Sequence, residues 1–261
     1  MGNKKTEPRT PLKDKPLRQA GQSLREERER ILEDKFVPWL FGAVVTIAFA
    51  GYEWFRFKMQ MPYSPWALTI LAAIATGIAV WRFIVLRPKM RNLKLGLEGE
   101  IVVGQYLDRL HADGYQVFHD VQGQNFNLDH VLIGPAGVIT VETKTWNKPN
   151  ADAKVTFDGE RLLIAGKALE RDPIVQARAQ ASWLRMQLRE STGKDFDVRP
   201  VIVFPGWFVE ANYTAQRKLW VLEPKALPTF LSNEPASLSA EDRKLASFHL
   251  SRIIRGAEQD R

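Results

Sequence analysis

Two long apolar runs, followed by short segments in which apolar and polar positions alternate, divide the chain into two kinds of sequence. The first run is "FVPWLFGAVVTIAFAGYEWF", Phe36 to Phe55, and the second is "PWALTILAAIATGIAVWRFIVL", Pro65 to Leu86. Each matches the ~20 residues needed to cross a ~30 Å hydrocarbon layer. Trp39 and Trp54 bracket the first run, Trp66 and Trp81 the second, where membrane-interface aromatics belong. At the helical rise each pair stands roughly 22 Å apart. A buried hairpin in a soluble protein should carry a polar stripe on each helix, and neither run has one. The pattern predicts two transmembrane helices, at about 36–55 and 65–86, joined by the short loop "RFKMQMPYS".

From about Leu95 the pattern changes to that of an α/β domain. "LEGEIVVGQYLDRLHADG" predicts a helix ending near Gly114, and "YQVFHDV", "FNLDHVLIG" and "GVITVETK" predict three strands. "AKVTFDGERLLIAGKAL" predicts a hairpin turning at Asp158-Gly159. "DPIVQARAQASWLRMQLRE" predicts a helix capped by Asp172, with Pro173 at its first position. "VRPVIVFPG" and "LWVLEP" add strands, and an amphipathic helix closes the chain within 232–261. Residues 87–94 read as a basic linker, and the α/β domain as 95–231. Residues 1–35 have the Lys-, Arg- and Pro-rich composition of a disordered tail, with a short charged helix at "SLREERERILEDK". No repeat, dinucleotide fingerprint or Walker spacing is present, and the charged start is too long for a signal peptide.

Composition narrows the partners. Among 261 residues the formal net charge is +7 and the pI near 9.6, which suits nucleic acid or a membrane surface. There is no cysteine and there are four histidines, so disulfides and thiolate metal sites are excluded. A metal here would rest mainly on carboxylates, which suit Mg²⁺, Mn²⁺ or Ca²⁺. Arg82 near the end of the second run and Arg87, Lys89, Arg91 and Lys94 after it stand without an acid, whereas the loop carries only Arg56 and Lys58. The positive-inside rule then predicts a multi-pass protein of the cell membrane, with both termini and the α/β domain in the cytoplasm. The same basic stretch suits lipid headgroups.

The candidate chemistry lies in "GVITVETKTW". Glu142 and Lys144, two apart on a strand, share a face. Alone, such a pair reads as a surface ion pair. Across the turn "GPAG", a two- or four-residue loop without a bulge sets Asp129 opposite Glu142 and Asn127 opposite Lys144. Opposed side chains on one face lie roughly 4.5–5.5 Å apart at Cβ, and two carboxylates there repel unless a cation joins them or one is protonated. In the preceding helix Glu100 shares a stripe with Val103, Leu107 and Leu110, so it should point inward and need a partner. Glu98 shares the more solvated face of Val102, Gln105 and Arg109, and His130 alternates away from Asp129 into a structural position. Trp146 reads as a core aromatic at a strand end or as a platform for stacking a base.

"GLEGE", "NLDHVLIGPAGVITVETKTW", "DPIVQARAQASWL" and "VIVFPG", in that order, resemble the nuclease-related domain (NERD) family, grouped with the PD-(D/E)xK nucleases, over roughly Leu95 to Leu231. The resemblance implies a restriction-endonuclease-like mixed sheet flanked by helices, here added to the transmembrane hairpin. It implies Asp129 and Glu142 as ligands of Mg²⁺ or Mn²⁺, Lys144 as the catalytic lysine, and Glu100 as the acid of the leading helix. Gln176 falls where such domains place a polar residue beside the site, as a nucleic-acid contact together with Trp146. Leu128 stands where the family pattern has proline. The function implied is hydrolysis of cytoplasmic DNA or RNA by a membrane-anchored nuclease, with pairing into homo-oligomers by analogy. The other reading is a catalytically silent nucleic-acid-binding or scaffold protein at the membrane.

Overall fold

The structure, a computed structural model, describes residues 17–62, 65–123, 126–169, 171–212 and 218–257. They form two compact units: Gly21–Glu98, and Gly99 onward together with the residues before Gly21.

In the first unit α1 (Gln22–Ile31) passes through a π-helical turn (Leu32–Phe36) into α2 (Val37–Lys58), and α3 begins at Pro65. Both long helices have the length and apolarity to cross a membrane. Phe41, Val44, Phe49 and Ile74 turn outward, whereas a soluble core helix would bury such groups. Trp54 meets Trp66 edge-on at 5.7 Å and donates to Thr69 Oγ1 at 3.0 Å. Arg82 lies 4.6 Å over the Trp39 ring.

Two sequence expectations fail here. The stretch 87–94 is no linker, because α3 is one helix over Pro65–Asp108, with Pro88 inside it. Arg87, Lys89, Met90, Arg91, Leu93 and Lys94 are strong helix formers. They outweigh the one hydrogen bond that Pro88 forfeits. Nor is the whole of 1–35 a tail, and the short charged helix expected within it is present. The charged segment from Gln22 is helical, with Gln22 donating to Glu26 across one turn at 2.9 Å. Residues 1–16 lie outside the described residues.

The second unit takes over at the last turns of α3 and a 3₁₀ turn, Arg109–Asp113. Its main sheet uses β1 (Gln116–Gln122), β2 (Asn127–Gly134), β3 (Gly137–Thr143), β7 (Val198–Val203) and β9 (Trp220–Leu222), in the order β1-β2-β3-β7-β9. The first three strands are antiparallel and the last two run parallel to β3. The second sheet, β6-β5-β4-β8, comprises β4 (Lys154–Phe157), β5 (Leu162–Ile164), β6 (Lys167–Ala168) and β8 (Phe208–Ala211).

Helices cover both faces of the main sheet. Val103, Leu107 and Leu110 pack on Leu132, Ile139 and Val141, joined by Leu227 and Leu231 of the short α5 (Leu227–Asn233). On the other side α4 (Pro173–Thr192) and α6 (Ala240–Ala257) bring Leu184, Leu188, Leu250 and Ile254 onto Val131, Ile133 and Val138. The start of α4, through Ile174 and Ala177, packs with the second sheet. Asp172 caps α4 by accepting from the Ile174 N–H at 2.8 Å, as the sequence predicts. This is the mixed, helix-flanked α/β fold expected from the sequence, with β8 and α5 as additions.

Candidate active site

Gly134 pairs with Gly137, and the register runs back through Ile133↔Val138 to His130↔Val141. The paired register ends at that step, and its continuation sets Asp129 opposite Glu142, as the loop length predicts. The ladder frays there, and side chains continue it. Asp129 Oδ2 accepts from the Thr143 N–H at 2.7 Å.

Glu142 is the most heavily bonded group of the site. Its Oε1 accepts from Lys144 Nζ at 2.7 Å and from Gln176 Nε2 at 2.7 Å. Its Oε2 accepts from Gln180 Nε2 at 2.6 Å. Gln176 also accepts from Lys144 Nζ through its amide oxygen at 2.9 Å, closing a triangle of carboxylate, ammonium and amide. This is not a surface ion pair. The Glu142 side chain is 4% exposed and that of Lys144 20%, so the acid sits inside and the ammonium at the edge.

Asp129 bears the electrostatic load. Burial pushes its carboxyl well above the usual carboxylate range, and the charges of Glu142 and then Glu100 push it further. The Thr143 N–H and the Lys144 ammonium oppose the shift without cancelling it. Glu100 is buried on α3, as its stripe predicts. The second glycine of "GLEGE" has a steric reason: a Cβ on Gly99 would lie 2.0 Å from Thr145 Oγ1. That glycine lets the helix carrying Glu100 press against the end of β3.

The remaining predicted residues fall around this centre. Trp146 is half-buried, stacked on Phe204 at 6.0 Å, and its carbonyl accepts from Trp207 Nε1 at 3.2 Å. One face is thus packed in the core. His130 is fully buried, with its Nδ1 2.8 Å from Nδ1 of His119, whose Nε2 reaches Asp108 Oδ1 at 3.0 Å. Burial, then the neighbouring His119, holds the His130 imidazole well below its usual range. It has the structural position expected of it.

Sequence reasoning missed two participants. Gln180 is 2% exposed and reaches Glu142, although it lies in the apolar stripe of α4 beside Ala177, Ala181 and Leu184. That placement was a readable signal, the same one that singled out Glu100. The second is Arg18, whose Nη2 meets Asp120 Oδ2 at 2.7 Å in the interior, 102 residues away in sequence. Nothing local announces it. The flanking pairs His119↔His130 and Val121↔Leu128 set Asp120 across from Asp129, with Asp120 in a left-handed conformation at φ 50°.

Among the described residues no three acidic or imidazole side chains form a ready-made cation cage. The donor set fits a smaller demand. Mg²⁺ dehydrates reluctantly, keeps several waters and needs one or two carboxylates rather than a full shell. Paired acids on adjoining strands, one of them poorly stabilised as an anion, supply such ligands.

Residues 95–205 match the family model of NERD, the nuclease-related domain, which spans the end of α3, the hairpin of acids, α4 and β7. The chain therefore carries a NERD domain, preceded by two long apolar helices. No curated protein and no solved structure matches it.

Proposed function

We propose that this NERD domain hydrolyses phosphodiester bonds of DNA or RNA with the aid of Mg²⁺ or Mn²⁺, and that the helical hairpin holds it at a membrane. The observation that carries the reading is the meeting of Asp129 and Glu142 at the open end of one β-hairpin, with Lys144 in contact and the charge of Glu100 felt at Asp129. Asp129 and Glu142 would hold the cation. A cation so held activates water and withdraws charge from the phosphoryl group. The chain's own part is positioning and charge. Lys144, at the solvent edge, places an ammonium where a non-bridging phosphate oxygen gains negative charge as the P–O bond breaks. Gln176, exposed at the first turns of α4, keeps that ammonium beside the acids and offers its amide to the substrate backbone. Trp146, half-buried and stacked on Phe204, would offer its remaining surface to a base.

The orientation with termini and domain on the cytoplasmic side rests on five Lys and Arg residues at and beyond the end of the second run against two in the loop. A second reading, a silent binding or scaffold module, draws on one observation: three donors already occupy Glu142. The experiment is cleavage of plasmid, single-stranded DNA and RNA by the full chain in detergent, with Mg²⁺, Mn²⁺ or EDTA. The expected outcome is divalent-dependent cleavage that Glu142→Ala abolishes and Lys144→Ala cuts by about 10²–10³-fold. Binding without cleavage under every metal would establish the scaffold instead.

A further inference from the structure

Gln180 sits one helical turn beyond Gln176 on α4, yet the two amides live in different surroundings. Gln176 is exposed, whereas Gln180 is 2% exposed. A buried amide costs free energy unless its hydrogen bonds are made. Gln180 makes two from one nitrogen: Nε2 donates to Glu142 Oε2 at 2.6 Å on β3 and to the Asn127 carbonyl at 3.0 Å on β2. The two acceptors lie on different strands, beyond the last ladder pair His130↔Val141. Beyond that pair the Thr143 N–H to Asp129 bond is one link between the strand ends, and the Gln180 amide adds a second that bears on the spacing of the two acids.

We infer that Gln180 is a positioning residue that staples β2 to β3 and fixes the Glu142 carboxylate relative to Asp129. The inference rests on the proposed cation-holding role of that pair and adds the group that sets its spacing. Three features support it. The amide donates to the oxygen of Glu142 that Lys144 and Gln176 leave alone, so both carboxylate oxygens are oriented. Its second proton goes to the backbone two residues before Asp129, which anchors the strand and not only the side chain. Its neighbours Ala177, Ala181 and Leu184 are buried, so the rotamer is held by packing. Outer-shell partners of this kind typically change metal affinity by about 10–100-fold when removed.

The test uses the full chain in detergent and two readouts. Gln180→Met keeps the volume and removes the donor. Leu250→Ala, in the α6 core away from the acids, serves as a control for general destabilisation. The first readout is Mn²⁺ affinity by titration calorimetry. Gln180→Met should weaken it by about 10–100-fold, while Leu250→Ala leaves it within about twofold. Equal effects of the two variants overturn the inference. The second readout needs no metal: unfolding of Gln180→Met, Glu142→Gln and the double variant in EDTA. A hydrogen bond to a charged acceptor predicts that the two changes are non-additive by about tenfold or more in the unfolding constant. Additivity overturns the stapling role even if the wild type binds Mn²⁺ and cleaves. Absence of Mn²⁺ uptake by the wild type would instead remove the proposed function, and the unfolding cycle would still decide for or against the staple.

Discussion

Asp129 and His130 are neighbours on β2, and each meets its own kind on an adjoining strand. Asp129 faces Glu142 of β3, whereas His130 faces His119 of β1. Burial works on both regions by one rule, disfavouring the charged form, so it raises the carboxyl and lowers the imidazole. The outcomes differ because the surroundings differ. The His130 imidazole is held neutral and shares one Nδ1–Nδ1 hydrogen bond with His119, while its buried Nε2 has no partner among the described residues. The acids are ringed by donors from Thr143, Lys144, Gln176 and Gln180, and those of Thr143 and Lys144 oppose the upward push on Asp129 without cancelling it. Like groups side by side are thus buried around one mutual hydrogen bond in one region and set among donors in the other.

Asp120, across the ladder from Asp129, shows an acid whose cation is permanent. Arg18 and Asp120 are both buried, 6% and 2% exposed. Arg18→Ala removes the charge and strands the carboxylate, at an expected cost of about 3–5 kcal/mol. Chemical denaturation of the full chain in detergent measures it. The double change Arg18→Met with Asp120→Asn should recover most of the loss. A cost near zero for the single change would mean that this sheet tolerates unpaired acids, and the contrast between the two regions would fail.

How much of this was legible follows the range of each interaction. The β2–β3 hairpin was readable because "GPAG" fixes the register within four residues and alternation does the rest. The cap at Asp172-Pro173 is equally local. Arg18 was not readable, since its polar, Pro-rich surroundings describe a tail and its partner lies in β1. The stretch 87–94 was misread because its basic composition suggested a linker, whereas the helix propensity of its residues decided. The period-2 pattern also breaks within the sheet. Phe118 and Val121, and likewise Leu128 and Val131, lie three apart yet join one core. The slips bracket Asp120 and Asp129, so strict alternation fails at these two acids.

A smaller effect comes from the helix that presses the third charge on Asp129. Gly99→Ala would place a methyl against Thr145, and overpacking of this kind costs about 1–3 kcal/mol. If α3 yields, Glu100 retreats, and the rise in melting temperature caused by Mn²⁺ should shrink along with the stability. An unchanged Mn²⁺ effect would take Glu100 out of the acid region. Asp129→Asn probes the same region with the opposite sign. A carboxyl raised in the folded state stabilises fully below its unfolded value and loses that contribution as pH rises through the folded one. At neutral pH in EDTA the asparagine variant should therefore melt above the wild type. Mn²⁺ should raise the wild type and leave the variant unmoved. A variant that melts lower in EDTA would show that the donors already stabilise the anion in full.

The imidazole region gives the smallest effect, read as a slope. His130 is held below its usual range when folded, so its neutral form is favoured and its contribution to stability is complete above the unfolded value near 6.5. As pH falls below that value the unfolded chain takes up a proton that the folded chain refuses, at no more than about 1.4 kcal/mol per pH unit. Only His119, with Asp108 behind it, faces the ring among the titrating groups seen around it, and His119 also opposes a second positive charge. The direct measurement is the ¹⁵N signal of the His130 ring, which should stay neutral well below pH 6.5 while the fold persists. A ring that charges near 6.5 without loss of structure would mean that the pair shares a proton rather than excluding one. The two regions would then handle like groups in the same way.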